Sequence, residues 1–280
     1  MSDTLDTSPW LQERAWPAIA AYLETDDTVL LPVGATEQHG YHLPLLVDSA
    51  WAIAACEGAA HKSNVLIAPP QQVGWSPHHL AFPGSLTLRP ETLTQVVLEI
   101  GESLVVSGFK RIIIVNGNRI ANLPPLEIAA SKLRHRTGAL CVVADVGLIA
   151  KTEIAALREG PPGSLDHAGE SETAFMMAWQ PDLVALDRAE AHLPPRGSAF
   201  NEPMEFEPEF EGNSVTVVRC AADRVRVKDG PAAQGISGDP TRATAEKGQA
   251  ILDAITANLS RLIDELRAQP TPDTKADIPY

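Results

Sequence analysis

RPETLTQVVLEIGESLVVSGFKRIIIVN, residues 89–116, decides the fold. Arg89-Pro90-Glu91 reads as a helix start, with proline in the first turn and an acid at the positive end of the helix dipole. Gly108 reads as the C-terminal stop of that helix. Of residues 111–115, four of five are β-branched, which predicts a central strand.

The same alternation extends in both directions. Residues 28–33 form a short apolar run ending at Gly34, a buried strand. Residues 48–61 are alanine-rich, with Trp51, Ile53 and Ala54 near helical spacing. Residues 64–68 form a second apolar run, stopped by Pro69-Pro70. A helix near 124–136, a strand at 139–144 and a helix near 148–158 follow. Strands alternating with helices predict an α/β fold: a single domain with three layers (α/β/α) and a mostly parallel sheet. Further on, residues 160–163 open a loop into a helix over 170–179. Asp239-Pro240 reads as the cap of a helix running to about residue 267, with Ile251, Ile255, Leu259 and Leu262 on one face. Residues 202–211 carry five glutamates, two prolines and two phenylalanines, and read as an exposed excursion. The domain is expected over 1–270, with a loose tail at 271–280.

Composition narrows the function. The 280 residues are 44% hydrophobic and 21% charged, as in an ordinary globular protein. A net charge of −14 argues against nucleic acid or an anionic membrane as partner. No apolar run approaches the length of a membrane span. The N-terminus MSDTLDTSPW lacks the regions of a signal peptide, so the cytoplasm is expected. Cys56, Cys141 and Cys220 form no CxxC pair and read as buried small hydrophobes.

In parallel sheets, ligands sit beyond the carboxyl ends of the strands, and the polar clusters fall in such loops. Residues 34–48 read GATEQHGYHLPLLVD. Glu37 and His39 are two apart, so on extended backbone they share a side, and Asp48 opens the next helix. Two carboxylates and an imidazole suit Zn²⁺, Mn²⁺ or Fe²⁺ better than Ca²⁺. The competing reading makes Glu37 and His39 ordinary loop residues and Asp48 a helix cap. GWSPHHLAFPGSLTL, 74–88, adds His78 and His79. Adjacent histidines point apart, so only one is expected to face the site, and a solvated role fits His78 better. Trp75 lines the pocket or packs in its loop. DHAGESET, 166–173, adds His167, Glu170 and Glu172. At a helix N-terminus the dipole keeps Glu170 ionised, as a metal ligand or base requires; two glutamates are also common there for helix formation alone.

Together, LPVGATEQHGYHLPLLVD, GWSPHHLAFPGSLTL, IIIVNGN, DHAGESETAF and GISGDPTRATAEKG resemble the creatininase family of metal-dependent amidohydrolases. They span most of the chain in the expected order. The resemblance implies a two-metal centre at the strand ends. Glu37 would bind one metal, His39 the other, and Asp48 would bridge them. Glu170 would complete the second site, with Glu172 close by. It also implies a small-molecule substrate, typically a cyclic or N-formyl amide, and a homo-oligomer, often a hexamer. The expected cofactor is one or two divalent ions, zinc or manganese, with iron a third option.

One stretch departs from the family. Where members usually read Asn-Gly-His-Gly-Gly-Asn, with the histidine on the first metal, this chain has Asn116-Gly117-Asn118-Arg119-Ile120-Ala121-Asn122. Three readings stay open. Asn118 ligates weakly in a site for a harder metal. Alternatively the first metal is absent, and the Arg119 guanidinium replaces part of its charge and meets a substrate carboxylate or oxyanion. In the third, catalysis is lost. The expected reaction is metal-assisted hydrolysis of a C–N bond other than a peptide bond. Glu172, His79 or His167 would protonate the leaving nitrogen; Arg119, Trp75 and Asn118 would contact substrate. Alternatives are a degraded binding or regulatory protein, or a metal-dependent hydrolase of a lactone or modified sugar.

Overall fold

Ile112 and Ile114 face one layer of the molecule, Ile113 and Val115 the other. The β-branched run is therefore buried on both sides, which is why it carries no polar alternation. The computed structural model describes residues 7–193 and 234–271. Four strands, Thr28–Val33 (β1), Leu66–Ile67 (β2), Arg111–Asn116 (β3) and Leu140–Asp145 (β4), pair in parallel in the order β2-β1-β3-β4.

Helices cover both faces. Trp16–Leu23 (α1) precedes β1, and Val47–Ser63 (α2) follows it. Pro90–Ser107 (α3) and Arg119–Thr137 (α4) flank β3. Val146–Ile149 (α5) and Lys151–Ala156 (α6) follow β4, and Glu170–Trp179 (α7) and Ala245–Arg267 (α8) are the last of the described helices. Leu93, Val97, Leu98, Leu126 and Leu133 of α3 and α4 meet Ile112 and Ile114 on one face. Trp51, Phe175, Ile251, Ile255 and Leu259 of α2, α7 and α8 meet Ile113 and Val115 on the other. The three-layer expectation is met, and all four described strands are parallel.

The register pairs Val33 with Asn116 and Asn116 with Asp145, so three strands end level. From β1 the order runs outward to β2 on one side and to β3 on the other. The loops after β1 and β3 therefore diverge and leave a crevice between them.

Several boundaries differ from the sequence expectation. α4 starts at Arg119, not near 124, and carries Pro124 and Pro125 inside it. The helix expected over 148–158 is two short ones. Before α8 the chain makes a 3-10 turn, Pro240–Arg242, capped by Asp239, and α8 itself is capped by Thr244, whose side chain accepts from the Lys247 N–H. On α8, Ile263 is fully buried and Leu262 only partly. Cys56 and Cys141 are buried free thiols. The excursion at 202–211, Cys220 and residues 272–280 lie outside the described residues. No described helix is long and apolar enough to cross a membrane.

Candidate metal centre

The loops after β1 and β3 are pressed together by a backbone contact. A Cβ on Gly117 would lie 1.8 Å from the Asp48 carbonyl oxygen, so only glycine lets the β3–α4 turn sit against the first turn of α2. Asp48 makes no cap bond there; the N-cap position of α2 is Leu46. Asp48 is buried, and its carboxylate turns into the crevice.

Three donor atoms meet at this point. His39 Nε2 lies 3.7 Å from Asp48 Oδ1 and 3.5 Å from Glu172 Oε2. The three residues form one of the candidate metal-holding groups in the described structure. His39 Nδ1 is 3.1 Å from the Glu37 carbonyl. An imidazole N–H is needed there, because a carbonyl can only accept, so Nε2 carries the lone pair. That is the tautomer a metal ligand requires, fixed by a backbone partner.

A second cluster adjoins it around Glu37. Its Oε2 accepts from Asn118 Nδ2 at 2.9 Å. Its Oε1 is 3.1 Å from His79 Nε2 and 3.7 Å from His167 Nδ1. The His79 and His167 rings stack at 4.3 Å. Glu37 also groups with His39 and His167, or with His78 and His79, within metal-holding reach. Contrary to expectation, His78 does not turn away: the 3-10 turn Pro77–His79 brings its ring to 4.2 Å from His79. Trp75 packs partly against the α3/α4 core, and its backbone N–H donates to Asn122 Oδ1.

Glu170 requires a correction. Its carboxylate is not in the cluster. Lys247 Nζ lies 2.6 Å from Oε1, the Glu159 and Gly160 N–H groups donate at 3.0 Å each, and the Ser164 hydroxyl donates at 3.1 Å. Residues two apart on a helix point about 200° away from each other, so only one of Glu170 and Glu172 can face the crevice. Glu172 faces it. Its Oε2 accepts from the Ala168 N–H at 2.6 Å, and Ala168 adopts a φ of +55° to present that group. A non-glycine residue in the left-handed region beside a candidate site stores strain that the surrounding structure must hold.

The family model for creatinine amidohydrolase matches residues 12–263. The chain belongs to the creatininase family. Creatinine amidohydrolase of Pseudomonas putida is 30% identical over 276 residues, 93% of this chain and 98% of that protein. A mycofactocin precursor peptide peptidase of Mycobacterium ulcerans is also 30% identical, with 95% of each chain covered. A solved creatininase in a manganese form superposes with a TM-score of 0.75 at 28% identity, covering 94% of this chain and 100% of that one.

Within this creatininase-family fold, sequence reasoning missed several supporting residues. Gln38 lies between the expected Glu37 and His39. Its Nε2 is 2.8 Å from His79 Nδ1, 2.9 Å from His167 Nε2 and 2.9 Å from the Gly235 carbonyl. An amide N–H facing His79 Nδ1 leaves the imidazole proton on Nε2, facing Glu37. The Gln38 backbone carbonyl sits 2.7 Å from His167 Nε2, so that nitrogen donates to it rather than accepting from the Gln38 amide, and Nδ1 faces Glu37 as the basic atom. Asn116 clamps the β3–α4 turn. Its Nδ2 donates to the Asn118 carbonyl at 2.9 Å and to Asp145 Oδ2 at 2.8 Å, and its Oδ1 accepts from the Asn118 N–H at 3.2 Å. The signal for these residues was polar type at a strand end, which does not reveal partners distant in sequence.

The carboxylates of this creatininase-family centre repel one another. Burial, then Glu37 and Glu172, holds Asp48 well above the usual carboxylate range. Burial pushes Glu172 up to about 8, against the Ala168 N–H, with Glu37 adding to the rise and Arg119 opposing it. Burial pushes Glu37 up too, but His79, His39 and His78 together outweigh it and hold the group low. The Arg119 charge opposes the rise at both Asp145 and Glu172. Three crowded carboxylates facing a lone-pair nitrogen fit a divalent cation, which relieves the repulsion at once.

The pH dependence of the chelator-treated protein follows. Glu172 and Asp48 have raised folded pKa values, so their neutral forms stabilise the fold at low pH. The Glu172 contribution is lost as pH rises from about 4.5, the ordinary glutamate value, through about 8, and that of Asp48 falls in the same direction. Glu37, held low, contributes the opposite slope only at pH below its ordinary value. His42, held down to about 4 by burial, makes stability rise up to about pH 6.5, so chelated protein should melt at lower temperature at pH 8 than at pH 6.5, and added Mn²⁺ should reduce the difference. A melting temperature that rises across that window would contradict the crowding described.

Proposed function

We propose that this chain is a metal-dependent hydrolase that cleaves a C–N bond in a small polar amide, a cyclic one being the leading case. The observation that carries the reading is the convergence of His39 Nε2, Asp48 Oδ1 and Glu172 Oε2 at 3.5–3.7 Å, in a crevice at the strand ends. When bound, a divalent ion, manganese or zinc by donor chemistry, supplies Lewis acidity to the scissile carbonyl and makes a water acidic enough to attack near neutral pH.

The chain's own residues do the rest. His39 is held in its ligating tautomer by the Glu37 carbonyl. The Ala168 N–H aims Glu172. With Glu172 among the ligands, the leaving nitrogen takes its proton from a histidine. His79 engages Gln38 through one nitrogen and Glu37 through the other. We assign the transfer to His167 Nδ1, which gains a proton as water is deprotonated and gives it up as the C–N bond breaks. Arg119, whose charge reaches Glu172, would meet a carboxylate or developing oxyanion of the substrate.

A peptide C–N bond is the second reading, favoured by the mycofactocin precursor peptidase at 30% identity. Purified protein, chelated and then reloaded with Mn²⁺ or Zn²⁺, would be assayed on creatinine and other cyclic amides, short peptides and lactones. Metal-restored cleavage of an amide supports the proposal, and cleavage confined to peptides selects the second reading. Cleavage confined to lactones, or tight binding without turnover in any arm, overturns both.

A further inference from the structure

We propose that this centre holds one divalent ion per subunit, between His39, Asp48 and Glu172, and that the side-chain amide of Asn118 stands where a second ion would otherwise be. The inference rests on the metal-binding reading above and deepens it.

Spacing separates the two halves of the crevice. Two ligands of one tetrahedral ion, each about 2.1 Å from it, lie about 3.4 Å apart. His39 Nε2 to Glu172 Oε2, at 3.5 Å, and to Asp48 Oδ1, at 3.7 Å, match that separation and are too long for strong hydrogen bonds. Glu37 Oε2 to Asn118 Nδ2, at 2.9 Å, and Glu37 Oε1 to His79 Nε2, at 3.1 Å, are hydrogen-bond lengths. Both oxygens of Glu37 are thus met by N–H donors.

The orientation of Asn118 is fixed by chemistry. Its Nδ2 lies 2.9 Å from Glu37 Oε2, 3.5 Å from Asp48 Oδ2 and 3.5 Å from Ser76 Oγ. Carboxylates only accept, so the amide nitrogen must face them and the amide oxygen, its only ligating atom, faces away. A cation placed between Glu37 and Asn118 would meet two amide protons. Asn118 also sits at the N-cap position of α4 but makes no cap bond with its side chain. It forgoes a contact worth about 1 kcal/mol in order to reach Glu37. Asn116 grips the Asn118 backbone on both its N–H and its carbonyl, so the amide is held in place.

Glu37 remains within metal-holding reach of His39 and His167, so the test must distinguish the two positions. The full chain would be stripped with chelator, dialysed against Mn²⁺ or Zn²⁺, and its ions per subunit counted by elemental analysis, with affinities by calorimetry. One ion is expected in the unaltered protein and two in Asn118→His. Glu172→Gln should weaken binding more than about tenfold, whereas Glu37→Gln should keep its ion. Two tightly bound ions in the unaltered protein overturn the inference, as does one ion in folded Asn118→His. Loss of the ion in Glu37→Gln with retention in Glu172→Gln overturns it as well. If Asn118→His fails to fold, the unaltered stoichiometry and the two glutamine variants still decide. Folded unaltered protein that binds no ion instead removes the metal-binding reading itself, a separate outcome.

Discussion

His39→Ala should abolish both ion binding and hydrolysis. His39 is fully buried, its Nδ1 is spent on the Glu37 carbonyl, and its Nε2 is the one neutral donor among the three convergent atoms. Alanine leaves Asp48 and Glu172 facing each other without a nitrogen between them. Two carboxylates alone form a site for a harder, more hydrated cation, and bind zinc poorly. Loss of a residue that merely orients a ligand costs about 10–100-fold in affinity or activity, so loss of a direct ligand should exceed about 100-fold in kcat/KM. The check pairs elemental analysis with kinetics on the best amide found. Full metal content in a folded His39→Ala protein would show that the ion sits elsewhere.

The second large effect lies away from the crevice. Lys247→Met should destabilise the protein by about 3–5 kcal/mol, because it strands a buried carboxylate. The Glu170 side chain is 2% exposed and that of Lys247 10%. Lys247 Nζ bridges Glu170 at 2.6 Å, the Arg242 carbonyl at 2.7 Å and Glu159 at 3.3 Å. In a protein of this size the loss corresponds to a fall in melting temperature on the order of 10 °C. The double variant Lys247→Met with Glu170→Met should recover much of it, since removing both partners of a buried pair is far milder than removing one. Scanning calorimetry of the three proteins measures this. A single variant melting within about 2 °C of the unaltered protein would mean that the backbone N–H donors alone satisfy Glu170.

The fold was legible where local chemistry and tertiary burial agree. The run 111–115 is β-branched and sits between two helical layers, so period and propensity point the same way. It failed where a residue is used against its local preference. Pro124 suggested a helix start, yet α4 begins at Arg119, because the turn is set by Asn116 and Gly117 packing on α2. Asn118 occupies a cap position without capping, since Glu37 claims its side chain.

At the site, Glu37, His39 and Asp48 could be named because they share one short stretch. Glu170 and Glu172 could not be told apart by type or charge. The distinction needs helix phase relative to Lys247, a residue 77 positions from Glu170. Gln38 was passed over for the same reason: its partners, His79, His167 and Gly235, come from three distant segments.

Gln38 bonds to the Gly235 carbonyl, the Ser237 N–H bonds to the His167 carbonyl, and the Asp239 N–H bonds to the Ser164 carbonyl. These contacts give the chain an order of maturation. During synthesis the four described strands, the last ending at Asp145, emerge well before the segment at 235–247 leaves the ribosome. A nascent chain that has reached α7 already carries His39, Asp48 and Glu172, but Glu170 has no lysine and Gln38 has no glycine carbonyl to hold it. Competence to capture an ion should thus arrive late and abruptly, when residues 235–247 dock. A nascent chain released early would lack both these clamps and the helix α8 that covers one face of the sheet.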